Sequence, residues 1–393
     1  MKIVMLCEFF NEELEYQENL LAKYYVKHNH DVVIITSTVD SVFDYYNDKH
    51  DKSISSREYY SDGAKIVKLQ YKWIRFKSRL RKYIDITPIL EREKPDLIYI
   101  HDIMLNILEA VSYKKRHDNC KMIMDYHADY SNSAKSWLSL NILHKLIRKQ
   151  LYFNPSRKYL SMIFPIVPAS FTFLKEVYGV RDSEMELLPL GADTDLGNAT
   201  REKNCGLIVR EKHNIAHDDF VIFTGGKLNE AKKTHLLIKA FTNINLSKLH
   251  LIIVGKAGEM DKDYEILLKK LSINNVNIHF TGWLKNKQVY EYLDASDLAV
   301  FPASQSILWQ QAISMRLPLI VGDTGNQSIS YLNEFNNIVI LENDEINESV
   351  ILDKILMILN NRNMYNSMKL GAEKIANKWL NWDSLILKTL RFN

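Results

Sequence analysis

Short β-branched runs alternate with longer segments of helical periodicity along the whole chain. In the first half KIVMLC (2–7), DVVIITS (31–37), DLIYIHD (96–102) and KMIMDYH (121–127) read as strands, with a helix predicted around 15–28. Continuous apolar runs of this kind belong to strands buried on both faces, and their alternation with helices predicts an α/β architecture built on parallel sheets. The pattern restarts at DFVIFTGG (219–226) and continues through LHLIIVG (249–255), VNIHFTG (276–282), LAVFPAS (298–304) and LPLIVGD (317–323). A second unit of the same class is therefore expected. Between the two lies LLPLGADTDLGNATREKNCG (187–206), whose Gly, Asp, Asn and Thr content predicts a loop or hinge, with the boundary near residue 195. Two doubly wound units of this kind bind ligands outside the carboxyl ends of their strands.

Composition narrows the class. With 393 residues, 46% of them hydrophobic, the chain can build two ordinary cores. A formal net charge of +3 argues against a nucleic-acid binder that relies on bulk positive charge, and no matching nucleic-acid motif accompanies the basic stretches. Cys7, Cys120 and Cys205 are widely spaced and form no CxxC pair, so neither a disulfide framework nor a zinc site is expected. The start MKIVMLCEFFNEELEYQ places acids where a cleaved signal peptide needs an apolar core. SMIFPIVPASFTFL (161–174), the most apolar later window, carries two prolines and is shorter than the roughly 20 residues of a spanning helix. A cytoplasmic protein, soluble or peripheral on a membrane, is the expectation.

Candidate chemistry concentrates at GGKLNEAKKTHLLIKAF (225–241), which follows the first strand of the second unit. Glycines admit close approach of backbone N–H groups, while a helix start and ammonium groups favour an anion; a phosphate is the obvious guest. The competing reading is a solvated, lysine-rich helix start. His127 ends KMIMDYH and can contact a hydroxyl or shuttle a proton, with Asp129 placed to orient it; His101 in IYIHD sits similarly. Both histidines could equally be satisfied loop residues.

With these motifs in order along nearly its whole length, the chain resembles the GT-B glycosyltransferases, most closely the retaining, nucleotide-sugar-dependent family 4 (glycosyltransferase group 1) of bacterial surface polysaccharide biosynthesis. LLPLGADTD matches the family's PxGxD signature through Pro189, Gly191 and Asp193. Gly225, Gly226, Lys227 and Lys232 match its glycine, basic residue, lysine, helix pattern, with Lys227 where arginine is usual. FTGWL, through Gly282, Trp283 and Leu284, matches the turn whose backbone reads the nucleobase in relatives, and YEYLDASDLAVFPA (290–303) matches the strand leading to the donor site. The resemblance implies two Rossmann-like domains facing across a cleft, an acceptor domain 1–195, a donor domain 196–375 and a helix 376–393 that returns to the first domain. It implies a UDP- or GDP-sugar donor with no further cofactor and no metal. Lys227 and Lys232 would hold the diphosphate and stabilise its departing charge, and His127 would act beside the sugar and the acceptor. Trp379 and Trp382 in the tail would pack at the junction of the returning helix.

The chain also departs from that pattern. Where the family has an acidic pair, FPASQSILWQQAISMRLPLIVGD (301–323) puts Ala303 at the first acid and Gln311 at the second. Gln311 can still hydrogen-bond ribose hydroxyls. Ser304 and Ser306 precede a predicted helix, with Ser306 a plausible N-cap beside a phosphate. FNEELEYQENLLAKYYVKHNHDVVIIT (10–36) lacks the family's paired glycines and carries Glu12, Glu13 and Glu15 instead, most simply an acidic, solvent-facing helix start.

Two segments mix basic and apolar residues. YKWIRFKSRLRKYI (71–84) has six Lys or Arg and no acid, and SWLSLNILHKLIRKQLYF (136–153) sets Trp137, Leu140, Ile142, Leu143, Leu146, Ile147 and Leu151 on roughly one helical face. Such segments suit the surface of an anionic bilayer, and the acceptor the family implies is a glycan or lipid-linked glycan. The plainer reading is an amphipathic helix packed on a core. The leading expectation is thus a glycosyltransferase of surface-glycan assembly, such as capsule or lipopolysaccharide. The lost acidic pair keeps open a catalytically silent GT-B partner, and a sugar-nucleotide epimerase of the same architecture is the remaining alternative.

Overall fold

The computed structural model describes residues 1–13, 16–41, 44, 45, 54–71, 82, 84–244, 246–303, 305–325 and 329–392. It separates into one unit of Met1–Leu190 with Trp382–Asn393 and another of Gly191–Asn381. These divisions fall earlier than residue 195 and later than residue 376.

The N-terminal unit is a seven-stranded sheet built from β1 (Lys2–Leu6), β2 (Asp31–Ser37), β3 (Arg57–Ser61), β4 (Ala64–Leu69), β5 (Leu97–His101), β6 (Lys121–Tyr126) and β7 (Met162–Pro165). Its order is β3-β4-β2-β1-β5-β6-β7, and every pairing is parallel except β3 with β4, a hairpin that the strand pattern did not flag. Alternate residues feed opposite core layers, as the two-residue period of a strand requires: Val4, Leu6, Ile98 and Ile100 on one face, Ile3, Met5, Leu97 and Tyr99 on the other. The helix Trp382–Leu390 covers the second face, burying Trp382, Leu385 and Ile386, while Tyr25 and Thr389 join hydroxyl to hydroxyl. The chain thus returns to its first sheet. Trp379, by contrast, packs within the C-terminal unit, edge-on to Tyr331 with Nε1 donating to Glu334 at 3.0 Å.

The C-terminal unit holds β8 (Phe220–Gly225), β9 (Leu249–Val254), β10 (Ile278–Gly282), β11 (Leu298–Phe301), β12 (Leu319–Asp323) and β13 (Ile338–Glu342), all parallel, in the order β10-β9-β8-β11-β12-β13. Part of the expected hinge is helical. Asp193 accepts a hydrogen bond from the Leu196 N–H at 3.1 Å and so caps Thr194–Glu202, which Cys205–Lys212 follows. An aspartate beside Thr194 reads as loop composition, yet the same side chain is a preferred N-cap, and here capping wins.

In each sheet the winding direction reverses once, between β1 and β5 and between β8 and β11. The carboxyl ends of those strand pairs are where a doubly wound sheet leaves a crevice. The polar residues of interest lie there in both units.

Candidate functional site

In the N-terminal unit, β5 and β6 pair with His101 opposite Asp125. The two-residue period then puts Tyr99 with His101, and Asp125 with His127, on one side of adjacent strand ends. Asp125 is fully buried. Its Oδ2 accepts from Tyr99 Oη at 2.9 Å and lies 2.9 Å from His101 Nδ1, while Oδ1 accepts from the Asp102 backbone N–H at 3.0 Å. His127 Nε2 stands 3.2 Å from the same Oδ2 but lacks an aligned hydrogen-bond partner, so this contact is electrostatic. The imidazole rings are 4.4 Å apart, and Glu18, at the start of the helix Gln17–Lys27, places Oε2 3.8 Å from His101 Nε2.

Burial opposes charge on His101, but the adjacent Asp125 carboxylate, assisted by Glu18 and Asp102, outweighs it and pushes the imidazole up to about 10. Burial would raise Asp125, yet the two histidines hold it well below the usual carboxylate range. A buried carboxylate and an imidazolium therefore coexist because each supplies the other's solvation. Ligand atoms of His101, Asp125 and His127 all lie within 4.8 Å of one another. A cation there would have to displace the His101 proton and share an oxygen that Tyr99 and His101 already occupy.

In the C-terminal unit, glycines ring the ends of β8, β9 and β10. Gly255, at φ +124°, sits so close to Gly226 that a Cβ would fall 1.9 Å from the Gly226 carbonyl oxygen. Gly282, at φ +73°, makes the turn after β10 and its carbonyl accepts from Gly255 N–H at 2.8 Å. Side chains are excluded and backbone is left facing out. Beside this lip the half-buried Lys232 extends Nζ to the Gln305 carbonyl at 2.8 Å, and a Cβ on Gly226 would lie 3.7 Å from both Lys232 Cε and Ser306 Oγ. Among the described residues no carboxylate pairs with Lys232, and burial brings its ammonium down to about 8. Lys227 is more exposed and pairs with Asp261 at 3.2 Å. Gln311, on the helix Leu308–Ser314, donates through Nε2 to Asn286 at 2.6 Å while its buried Oε1 has no partner.

The model for Glycosyltransferase Family 4 matches residues 19–196, and that for Glycosyl transferases group 1 matches residues 208–375. The chain belongs to the group 1 glycosyltransferases of GT-B fold. An uncharacterized glycosyltransferase of Methanocaldococcus jannaschii is 27% identical over 270 residues, covering 64% of this chain and 61% of that relative's length. Among solved structures, Anabaena HepE in complex with UDP and glucose superposes with a TM-score of 0.66 at 15% identity, covering 99% of each chain. A glycosyltransferase from Rickettsia africae gives 0.69 at 14% identity over 99% of this chain and 96% of its own. WaaG, a glycosyltransferase involved in lipopolysaccharide biosynthesis, gives 0.63 at 14% over 98% of each. At these identities the likeness is one of fold.

Within this group 1 chain the structure gathers Gly225, Gly226, Lys232 and Ser306 at one strand-end lip, and His101 with His127 at another. Ser306 Oγ accepts from Leu308 N–H at 3.4 Å, with Ile307 rather than Ser306 at the N-cap position. Trp283 is 70% exposed, whereas Leu284 packs into the core. Ser304 and residues 72–81 and 83 of the basic segment lie outside the described residues. One expectation changes. Asp129 does not orient His127: its Oδ1 accepts from Ser131 N, Ser131 Oγ and Asn132 N and so closes its own loop. The acid that does face His127 is Asp125, which sequence reading passed over although its spacing from His127 marks a shared strand face. At 136–153, where a bilayer-facing and a core-packed helix were both open, most of the named apolar residues are turned outward. In the wide-wound helix Ser139–Phe153, His144 is buried between Ser133 Oγ and Tyr178 Oη, while Trp137, Leu138, Leu143, Leu146 and Leu151 are exposed. Aromatic neighbours Phe173 and Tyr178 make an edge-lined pocket that suits a neutral imidazole.

Proposed function

We propose that the chain transfers a sugar from a nucleoside diphosphate sugar, UDP- or GDP-linked, to a hydroxyl of a glycan or lipid-linked glycan in surface-polysaccharide assembly, with retention at the anomeric carbon. The observation that carries this reading is Lys232: a half-buried ammonium beside a glycine lip, hydrogen-bonded to a backbone carbonyl and, among the described residues, lacking a carboxylate partner. A diphosphate supplies the missing negative charge, and the charge that grows on the departing phosphate is stabilised by a cation already in place. Lys227 would join it on leaving Asp261, Gln311 Oε1 would accept from a ribose hydroxyl, and the backbone of Gly282, Trp283 and Leu284 would meet the base. His127 would position the acceptor hydroxyl. The nucleotide assignment is supported by the complexes of Anabaena HepE with UDP and with UDP-glucose.

No described helix is long and apolar enough to cross a membrane. The outward Trp137, Leu138, Leu143 and Leu146, with Lys145 beside them, favour a peripheral site on the cytoplasmic face of an anionic membrane, where a lipid-linked acceptor would be met. Vesicle sedimentation checks this: Trp137→Asp should release the protein from anionic vesicles.

Calorimetry against UDP, GDP, CMP and their sugars, without metal and then with magnesium, tests the donor site. Saturable binding that Lys232→Ala removes is the expected result. A folded protein that binds none of the panel would favour the silent GT-B partner, for which the replacement of both family acids by Ala303 and Gln311 is the motive. An epimerase would convert its sugar nucleotide with no acceptor present.

A further inference from the structure

Asp125 has no role in the transfer as described, yet it is heavily engaged. It is 0% exposed and takes four donors: Tyr99 Oη, His101 Nδ1 and the Asp102 N–H as hydrogen bonds, and His127 Nε2 as a close charge contact. Three of these meet at Oδ2, an oxygen with two lone pairs, so the bonds from Tyr99 and His101 leave His127 held by attraction rather than by a locked bond. His127 is therefore oriented by charge, with Nδ1 as the nitrogen that does not face the carboxylate. We propose that Asp125 is a positioning residue that fixes His101 as its charged counterpart and aims His127 Nδ1 at the acceptor hydroxyl.

The groups around the pair bear this out from each packed element. His101 faces Glu18 from the helix Gln17–Lys27, Asp102 from its own loop and Asp125 from β6; Cys7, at the end of β1, senses the charges of both Glu18 and Asp125. Three carboxylates around one imidazole keep its proton in place through neutral pH, so His101 cannot exchange that proton with the acceptor. His127, with one carboxylate contact, is the ring left to meet the acceptor. With Nε2 drawn to the Asp125 carboxylate at 3.2 Å, Nδ1 is the ring nitrogen left to meet a water or sugar hydroxyl.

This inference rests on the transferase reading for its kinetic consequence but not for its structural one, and two measurements keep them apart. The first uses the full chain labelled with 15N-histidine, with His101→Gln and His127→Gln for assignment. The expected spectrum shows His101 doubly protonated at pH 8; in Asp125→Asn, His101 becomes neutral at that pH. An ordinary titration of His101 in the wild type, or an unchanged spectrum in Asp125→Asn, would overturn the proposal. So would added cobalt(II) that shows ligand-field absorption and abolishes the imidazolium signals, since the three side chains would then be a metal site.

The second measurement is steady-state turnover. Asp125→Asn should lower kcat by about 10²-fold or more and move the acidic limb of its pH profile, while nucleotide affinity by calorimetry stays within about twofold. Tyr99→Phe, which removes a neutral donor from the same oxygen, should leave the pH profile in place, and Asp125→Glu should restore part of kcat. An equal fall in Tyr99→Phe with no profile change would reduce Asp125 to a packing role and sink the idea. Absence of nucleotide binding by the wild type would instead strike the transferase reading and leave the spectroscopic result standing.

Discussion

The two units handle charge at their strand ends in opposite ways. At the ends of β5 and β6, Asp125 and His101 are buried as a pair, each shifted toward its charged form by the other. At the end of β8, Lys232 is half-buried, without a carboxylate partner among the described residues, and is shifted toward its neutral form, to about 8. A satisfied pair is organised in the free protein and keeps its geometry whatever binds. An unsatisfied cation stores a desolvation cost that an anionic ligand relieves. One cluster is built to hold still, the other to be completed.

The sharpest way to break this contrast is Lys232→Ala. Turnover should fall about 100-fold and nucleotide affinity about tenfold or more, the usual size for a charged donor on a phosphate. The pH dependence follows from the sign of the shift. Near pH 8 the free protein carries a partly neutral Lys232, and a bound diphosphate raises its pKa, so binding takes up a proton. Affinity should therefore weaken as pH rises above about 8. Calorimetry at pH 8.5 in two buffers of different ionisation enthalpy reads that proton directly. Binding with no proton uptake and no loss in Lys232→Ala would place the diphosphate elsewhere.

For the paired cluster the expected effect is on stability. Asp125→Ala removes the carboxylate that compensates the His101 charge and leaves the donors of Tyr99 and the Asp102 N–H unpaired, which should cost about 3–5 kcal/mol in urea unfolding at pH 7. The linkage has two limbs. Asp125, lowered in the fold, contributes stability above its unfolded value that is lost as pH falls through the acid range. His101, raised in the fold, contributes stability present below about 6.5 that is lost as pH climbs toward about 10. Both limbs should flatten together in Asp125→Ala.

Much of this arrangement is legible from sequence, for reasons that differ by residue. Strands such as DVVIITS and LHLIIV declare themselves because a parallel strand is apolar on both faces, and Gly226 with Lys232 because glycine and a basic residue before a helix have few other reasons to occur together. His127 is visible as a polar residue ending an apolar run. Asp125 hides inside that run, since its partners come from β5 and only register reveals them. Asp129 misleads because an aspartate near a histidine looks like its partner, while its short side chain bonds more readily to its own backbone. At Ser139–Phe153 the sequence leaves an outward and a packed face both open, because a period tuned to an α-helix does not show that the turns are wider and that an aromatic pocket claims His144.

A third cluster offers a finer comparison, away from both strand-end groups. His250 lies 3.1 Å from Asp219 and 3.2 Å from His279, whose ring also approaches His213. Burial, with His213 and His250 adding to it, lowers His279 to about 4. Between that value and about 6.5 the unfolded chain binds the extra proton, so stability should decline as pH drops through this window. A loss of about 1–2 kcal/mol is expected after allowing for partial solvent access, and His279→Gln should remove the slope. A slope that survives in His279→Gln would assign it to other carboxylates or imidazoles.

The smallest effect belongs to Asp193, the residue that turns expected hinge into helix. Its carboxylate caps Leu196 N–H while its backbone N–H donates to Tyr290 Oη at 2.9 Å, so the side chain and the main chain fix the same turn independently. Asp193→Ala removes the first and keeps the second, and should cost about 1 kcal/mol. Asp193→Asn keeps a capping oxygen and should cost less, which separates capping from charge. If alanine and asparagine were equally harmful, the carboxylate's charge rather than its cap would be what the turn requires, and the contrast between satisfied and waiting charges would then extend to this helix start as well.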